Sequence, residues 1–231
     1  DVDADATVGG SVNNVFIGTD SGGGTWVTAA SSYNVAVGHN TIEGALNGAL
    51  YNAALGQNAL QSITTANGNV GLGNSAMSLT TTGQSNVAIG AYDGTTNAAM
   101  RGNVSANQCV AIGTGAMAGV STQDGTIAIG YKSLTALTSG AYNTAVGYLA
   151  LQTNQDGSYN TAVGYEALEV FEANSTNEGQ NIGIGYRAGR FISTGEKNTF
   201  IGAEAGTGIT GTRLTGDDNT AIGKAAGLLL Q

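Results

Sequence analysis

Twelve times along its 231 residues the chain repeats one short phrase built on a glycine. Two clear copies are Asn143-Thr144-Ala145-Val146-Gly147-Tyr148-Leu149-Ala150-Leu151 and, seventeen residues on, Asn160-Thr161-Ala162-Val163-Gly164-Tyr165-Glu166-Ala167-Leu168. With the glycine as position zero, the copies centre on Gly18, Gly38, Gly56, Gly73, Gly90, Gly113, Gly130, Gly147, Gly164, Gly185, Gly202 and Gly223. Six of the eleven intervals are 17, which sets 17 as the period and makes the longer intervals insertions. A repeat this short cannot bury an apolar face by itself, so neighbouring copies must stack, and the chain is a solenoid.

The positions within the phrase follow fixed rules. The residue before the glycine is aliphatic in all twelve copies. Two before it stands Ala or Gly in ten, with Phe16 and Phe200 the exceptions. Three before it is β-branched in all but Ala53, and four before it is Asn in all but Cys109 and Thr126. Thr/Val–Ala–Val/Ile–Gly alternates large and small with period two and predicts a short strand. The expected arrangement puts the large residues such as Val146 and Val163 in the core. Ala and Gly then form a thin face open to close approach by another chain. Gly147 and Gly164 end their strands where a tight bend is needed. Asn143 and Asn160 suit a turn, and stacked in register such asparagines can bond one another as a ladder. Each coil then has a strand, a bend, a short second segment and a polar turn. The fold class is all-β, a parallel β-solenoid of about twelve coils over residues 14–231, preceded by an acidic segment at 1–13.

Composition narrows the function classes. The chain holds 38 Gly and no Pro, so it is not collagen. The 41% hydrophobic content and the strict pattern exclude a disordered chain. A net charge of −9 argues against a nucleic-acid partner. No apolar run reaches the ~18 residues of a membrane span, so membrane insertion is not expected. Cys109 is the single cysteine and permits no internal disulfide. The chain opens on Asp1 without a secretory leader pattern, and its apolar end, Gly227-Leu228-Leu229-Leu230, reads as running into further chain.

The repeats resemble two known groups. Asn86-Val87-Ala88-Ile89-Gly90 and Val110-Ala111-Ile112-Gly113 are similar to the Asn-x-Val-Ala-Ile-Gly phrase of trimeric autotransporter adhesin (YadA-like) heads. Asn143–Leu151, Asn160–Leu168 and Asn219-Thr220-Ala221-Ile222-Gly223 resemble the Asn-Thr-Ala-Val/Ile-Gly-Tyr-x-Ala-Leu repeats of phage tail-fibre and related structural proteins. The resemblance covers about Asn14 to Gly227, with a period longer than that of the adhesin heads. It implies a β-roll or β-helix working as a homotrimer, the Ala/Gly strand face allowing the close packing of three chains.

No reactive constellation stands out. Gly183-Ile184-Gly185-Tyr186-Arg187-Ala188-Gly189 misses the dinucleotide spacing by one residue, and the repeat explains its glycines. His39 is the only histidine, which with Cys109 makes neither a metal cluster nor a catalytic triad. Asp1, Asp3 and Asp5 alternate like the start of a calcium loop but lack its later glycine and glutamate, so they read as an acidic tail. Glu166, Glu169, Glu172 and Glu178 crowd one insertion and leave open a carboxylate pair of the kind that cleaves glycosides, against a solvated acidic loop. Tyr131, Tyr148, Tyr165 and Tyr186 form a column that stacks on itself, or else binds sugars by ring stacking.

Insertions in solenoids project as loops, often on the binding side. The candidate contact residues are therefore the bulky or charged ones in or beside insertions: Trp26, Tyr33, Tyr92, Arg101, Phe171 and Arg213. No cofactor, metal or catalytic residue is expected. The expected role is a structural and adhesive segment of an extracellular fibre, a phage tail fibre or virion appendage attaching to a host surface. Its expected partners are two further copies of itself, a host cell-surface glycan or protein receptor, and other fibre or virion proteins. The alternatives are a bacterial trimeric adhesin head, displayed at the cell surface, and a polysaccharide-cleaving tailspike.

Overall fold

A computed structural model describes residues 2–3, 10–27, 29–119, 122, 124–173, 178–208 and 215–228. The chain divides into two compact units, Asp1–Thr122 and Gln123–Gln231. The first holds β1 (Val2–Asp3), β2 (Val15–Ile17), β3 (Val35–Val37), β4 (Ala53–Leu55), β5 (Val70–Leu72), β6 (Val87–Ile89) and β7 (Val110–Ile112). The second holds β8 (Ile127–Ile129), β9 (Thr144–Val146), β10 (Thr161–Val163), β11 (Ile182–Ile184), β12 (Thr199–Ile201) and β13 (Thr220–Ile222). Apart from β1, which pairs antiparallel with β2, the strands are parallel. Each repeat contributes one three-residue strand, and the chain is an all-β parallel solenoid.

Register follows the sequence phrase. Val70, Gly71 and Leu72 lie opposite Val87, Ala88 and Ile89, and Thr144, Ala145 and Val146 opposite Thr161, Ala162 and Val163. The remainder of each coil is turns, tied to the next coil by backbone bonds such as Leu60 N–H to Ala76 O at 3.0 Å and Leu151 N–H to Ala167 O at 3.1 Å. No second strand forms in these coils among the described residues.

The strand faces are the reverse of the sequence expectation. The small residue points inward: Ala36, Ala88, Ala111, Ala128, Ala145 and Ala162 are fully buried. The large residues point out, with Val35 44%, Leu55 53% and Ile222 66% exposed, and Val146 and Val163 half-buried. The reason is space. Three and four residues past the glycine the chain turns back inside, and Ala59-Leu60, Ala76-Met77, Ala150-Leu151 and Ala167-Leu168 fill the interior. Beneath the strand only a methyl fits. Where Phe16 and Phe200 replace that alanine, the inward position is given up in exchange. Gly22 and Gly206 stand where other coils carry Leu or Met, and a Cβ at either would lie 2.6 Å or less from the phenyl ring.

Left-handed corners shape the coil. Leu60, Met77, Leu134, Leu151 and Leu168 all have φ between 48° and 52°. Bulky residues accept this conformation only where packing repays it. At the repeat glycine the requirement is steric as well. Gly147 has φ 145°, and a Cβ there would sit 2.2 Å from the carbonyl oxygen of Gly164 in the next coil.

The asparagine ladder forms inside each unit. The Asn52 backbone N–H and Nδ2 both donate to Asn34 Oδ1 at 3.0 and 2.9 Å, and Nδ2 also donates to Ala66 O across the coil. The pattern runs through Asn69 and Asn86 in the first unit, where the Cys109 backbone N–H ends it on Asn86 Oδ1. It runs from Asn143 through Asn160, Asn181 and Asn198 to Asn219 in the second. These buried amides are therefore satisfied, as burial demands. The Thr126 hydroxyl, standing where an asparagine would, is buried without a partner.

Candidate functional site

The corner just past the repeat glycine differs most along the chain. In the second unit it is a closed column. Tyr131, Tyr148, Tyr165 and Tyr186 stack with centroids 5.2 to 5.5 Å apart. Lys132 lies over the Tyr131 ring at 5.3 Å and Arg187 over Tyr186 at 4.9 Å. The ring faces are thus taken by other rings or by cations, which leaves sugar stacking only their edges.

The carboxylates beside that column are taken too. Glu166 accepts from Arg187 Nε at 2.7 Å and Arg190 Nε at 3.1 Å, and Glu169 pairs with Arg190 at 2.5 Å. Burial pushes the Glu166 carboxyl up, but the hydrogen bonds from Arg187 and Tyr165 outweigh it and hold it below the ordinary value. A glycosidic general acid needs the opposite shift. Glu172 does shift upward, chiefly by burial and against hydrogen bonds from Gln155. It is the one carboxylate lining a shallow groove with Thr153 and Val170, so that groove holds no facing pair.

In the first unit the same corner is open. A cleft of about 390 Å³ lies there, lined by Gln57 and Asn58 from the Gly56 coil and by Asn74 and Ser75 from the Gly73 coil. Tyr92, Asn97 and Arg101, from the longest insertion, complete it. The amides are linked, Asn74 Nδ2 donating to Gln57 Oε1 at 3.2 Å and Ser75 Oγ to Asn74 Oδ1 at 2.8 Å. Asn58 Oδ1 is buried without a donor. The next residue in the column is Ala91, too short to continue the row of amides.

The insertion is positioned by its own bonds. The corner residue two past the glycine is left-handed at Asn58, Ser75, Leu149, Glu166 and Arg187, but Tyr92 is not, and the chain leaves the coil there. It rejoins where the Ala99 N–H donates to Gly90 O at 3.2 Å. Between these points Asp93 Oδ1 accepts from the Thr95 and Thr96 backbone N–H groups at 2.9 and 2.6 Å, and from Thr95 Oγ1 at 3.0 Å. The bonds from Thr96 and then Thr95 hold the Asp93 carboxyl below its ordinary value. The Tyr92 hydroxyl donates to Gly94 O at 3.0 Å, and Arg101 Nη1 makes a long 3.4 Å bond to Asn97 Oδ1.

The candidate contact residues therefore separate. Tyr92 and Arg101 meet in one cleft. Trp26 is a packing residue: its ring stands edge-on to Phe16 at 5.7 Å, with Nε1 donating to Gly22 O at 2.9 Å. Phe171 is fully buried in the interior, which corrects its reading as a contact residue; its spacing from Gly164 matches that of buried Ile63 from Gly56. Tyr33 is exposed but stacked on Tyr51 at 5.1 Å. Arg213, the acidic alternation of Asp1 and Asp5 and the apolar end at 229–231 lie outside the described residues. The sequence reading missed Gln57, Asn58, Asn74 and Ser75. Their signal was position: they directly follow the glycine in the two coils before the longest insertion.

Among the described residues no group of three or more His, Cys, Asp or Glu could hold a metal ion. No helix among them is long and apolar enough to cross a membrane. Comparison with protein-family models, with curated proteins and with solved structures gave no match to this chain.

Proposed function

We propose that this chain is a structural and adhesive segment of an extracellular fibre that assembles as a homotrimer. The observation that supports it is the outward aliphatic column on the strands. Val15, Ile17, Val35, Leu55 and Ile89 in the first unit, and Ile127, Ile184, Ile201 and Ile222 in the second, are all exposed. A monomer rarely leaves contiguous apolar surface open to water. Three copies turning this face to a common axis bury it against the same residues of their neighbours. The trimer contact is then the valine–isoleucine face rather than the alanine face, which is used up inside each coil. The function is rigidity plus repetition: backbone and asparagine ladders stiffen the segment, and threefold symmetry multiplies weak surface contacts by avidity.

The Asn-Thr-Ala-Val-Gly-Tyr repeats favour a phage tail fibre or other virion appendage, with neighbouring fibre or virion proteins and a host glycan or protein receptor as partners. The Asn86-Val87-Ala88-Ile89-Gly90 form of the first unit supports the second reading, a bacterial adhesin head at the cell surface. A coding sequence that continues into a membrane-anchor barrel would select that reading. The ion pairs on Glu166 and Glu169 weigh against a polysaccharide-cleaving tailspike. New reducing ends after incubation with capsule or lipopolysaccharide would reinstate it. Light scattering in solution tests the central claim. A mass three times the 22.9 kDa of the chain is expected. A single-chain mass would remove the trimer and the avidity with it.

A further inference from the structure

We propose that the cleft beside Tyr92 and Arg101 binds a carboxylate-bearing sugar unit, a uronic or nonulosonic acid within a surface glycan. This deepens the adhesive reading above and rests on it.

Two exceptions within the molecule converge on this cleft. The chain has nine tyrosines. Eight of them stack in pairs or columns, and Tyr92 alone has no ring partner among the described residues. The residue is 45% exposed, yet its ring is held, since its hydroxyl is tied to Gly94 and its loop is pinned by Asp93. A held aromatic face costs little entropy on binding and suits the C–H face of a pyranose.

The second exception is Arg101. It is the only Lys or Arg of residues 1–122. Arg187 and Arg190 both sit in ion pairs, but Arg101 forms none among the described residues. Its one side-chain bond among the described residues is the long contact to Asn97. A guanidinium carries five N–H donors in a planar fork that matches a carboxylate two-to-two, so most of its capacity is unspent. The one carboxylate of its insertion, Asp93, is turned onto its own loop N–H groups.

The remaining lining selects for sugar over a bare anion. Gln57, Asn58, Asn74 and Ser75 are neutral groups that both donate and accept, as ring hydroxyls require. No Asp or Glu lines the cleft to repel an acid. Its volume, about 390 Å³, matches one sugar unit with part of a neighbour rather than a long chain. The single cation fixes one carboxylate, the amides read the hydroxyls around it, and Tyr92 supports the ring.

The test is titration of the full chain with sialyllactose and with a galacturonate trisaccharide, against neutral lactose and maltotriose, followed by calorimetry or tyrosine fluorescence. The acidic sugars should bind and the neutral ones should bind at least about tenfold more weakly. R101Q should lose that preference, Y92A should weaken both acidic ligands, and Y148A, in the closed column, should change neither. R101Q binding like the parent, or inorganic phosphate competing as well as the sugar acids, would overturn the proposal. Light scattering and adhesion to bacterial cells on the same samples separate this claim from the one beneath it. A trimer that still adheres with R101Q keeps the fibre reading and loses the cleft. A single-chain species that binds the acid sugar does the reverse.

Discussion

The corner after the repeat glycine exists in two versions, one closed and one open. Around Tyr131–Arg187 the rings stack between coils, cations cover the two end faces, and Glu166 pairs with Arg187 of the next coil. Around Gln57–Arg101 the column of amides stops at Ala91, and among the described residues Tyr92 has no ring partner and Arg101 no ion pair. The backbone before the corner is the same in both, strand and glycine. In a stacked repeat a column of like residues satisfies itself, because each side chain meets its own copy at strand spacing. Binding capacity therefore appears where the column changes identity. An insertion matters less for the loop it adds than for the column it interrupts.

That comparison fails at its base if the two regions do not share one scaffold. Gly147→Ala would place a Cβ 2.2 Å from Gly164 O at φ 145°, and Gly73→Ala one 2.9 Å from the carbonyl carbon of Gly90 at φ 122°. Both should cost at least about 3 kcal/mol in denaturant unfolding, Gly147→Ala more than Gly73→Ala. If either is neutral, the close backbone approach is not what holds the coils together.

The ion pairs set the next difference. Glu166→Gln leaves Arg187 and Arg190 without their shared carboxylate, and should cost about 2 kcal/mol, less than a fully buried pair because both arginine side chains keep some solvent. The sign with pH follows from the lowered Glu166 value. A carboxyl whose folded pKa lies below its unfolded one stabilises the fold above the ordinary value, about 4.3, and loses that contribution as pH falls through the folded value. The gap between parent and variant should therefore be full at pH 7 and close below about pH 4. A gap independent of pH would mean that the charge contributes nothing. Arg101→Gln, with no pair to lose, should show neither the cost nor the slope.

Tyrosines give a matched pair of tests. Tyr165 stacks on both Tyr148 and Tyr186 and lies under Arg187 at 5.9 Å. Its replacement by alanine should cost about 1–2 kcal/mol. Tyr92→Ala should cost less than about 0.5 kcal/mol, as for surface positions without ring contacts. Equal costs in thermal unfolding would erase the distinction between closed and open corners.

Much of this was readable from the sequence, for a physical reason. Period-two alternation, a fixed asparagine and a fixed glycine constrain a strand, a buried amide column and a bend, so the parallel register, the ladder from Asn143 to Asn219 and the Tyr131–Tyr186 stack could be anticipated. The inward face could not. Deciding that Ala88 rather than Ile89 faces the interior requires knowing that Met77 and Met100 already fill it. They do so through left-handed corners, for which methionine gives no local signal. Phe171 misled because it falls in the lengthened interval between Gly164 and Gly185, although it stands seven residues past its glycine, as core Ile63 does. Of the site, Tyr92 and Arg101 were legible as bulky or charged residues of the longest insertion. The amides opposite them were not, since asparagine and glutamine are common throughout the chain and only stacking brings Gln57, Asn74 and Tyr92 together.

The smallest structural change should make the sharpest functional one. Ala91 stands at the column position held by Gln57 and Asn74 in the two preceding coils and by tyrosine in four coils of the second unit. Its side chain is exposed, and its carbonyl accepts from Thr114 Oγ1 at 3.2 Å, a bond that a side-chain replacement leaves in place. Ala91→Gln would extend the amide row by one member, the introduced amide bonding to Asn74 as Asn74 bonds to Gln57. Stability should move by no more than about 0.5 kcal/mol, an exposed substitution gaining at most one solvent-screened hydrogen bond. The acid-sugar titration should fall with it, because the new amide occupies the space that Tyr92 and Arg101 overlook and engages the acceptor oxygen of Asn74. Undiminished binding with unchanged stability would show that the interruption at Ala91 does not open the cleft, and that the loop alone sets the difference between the two corners.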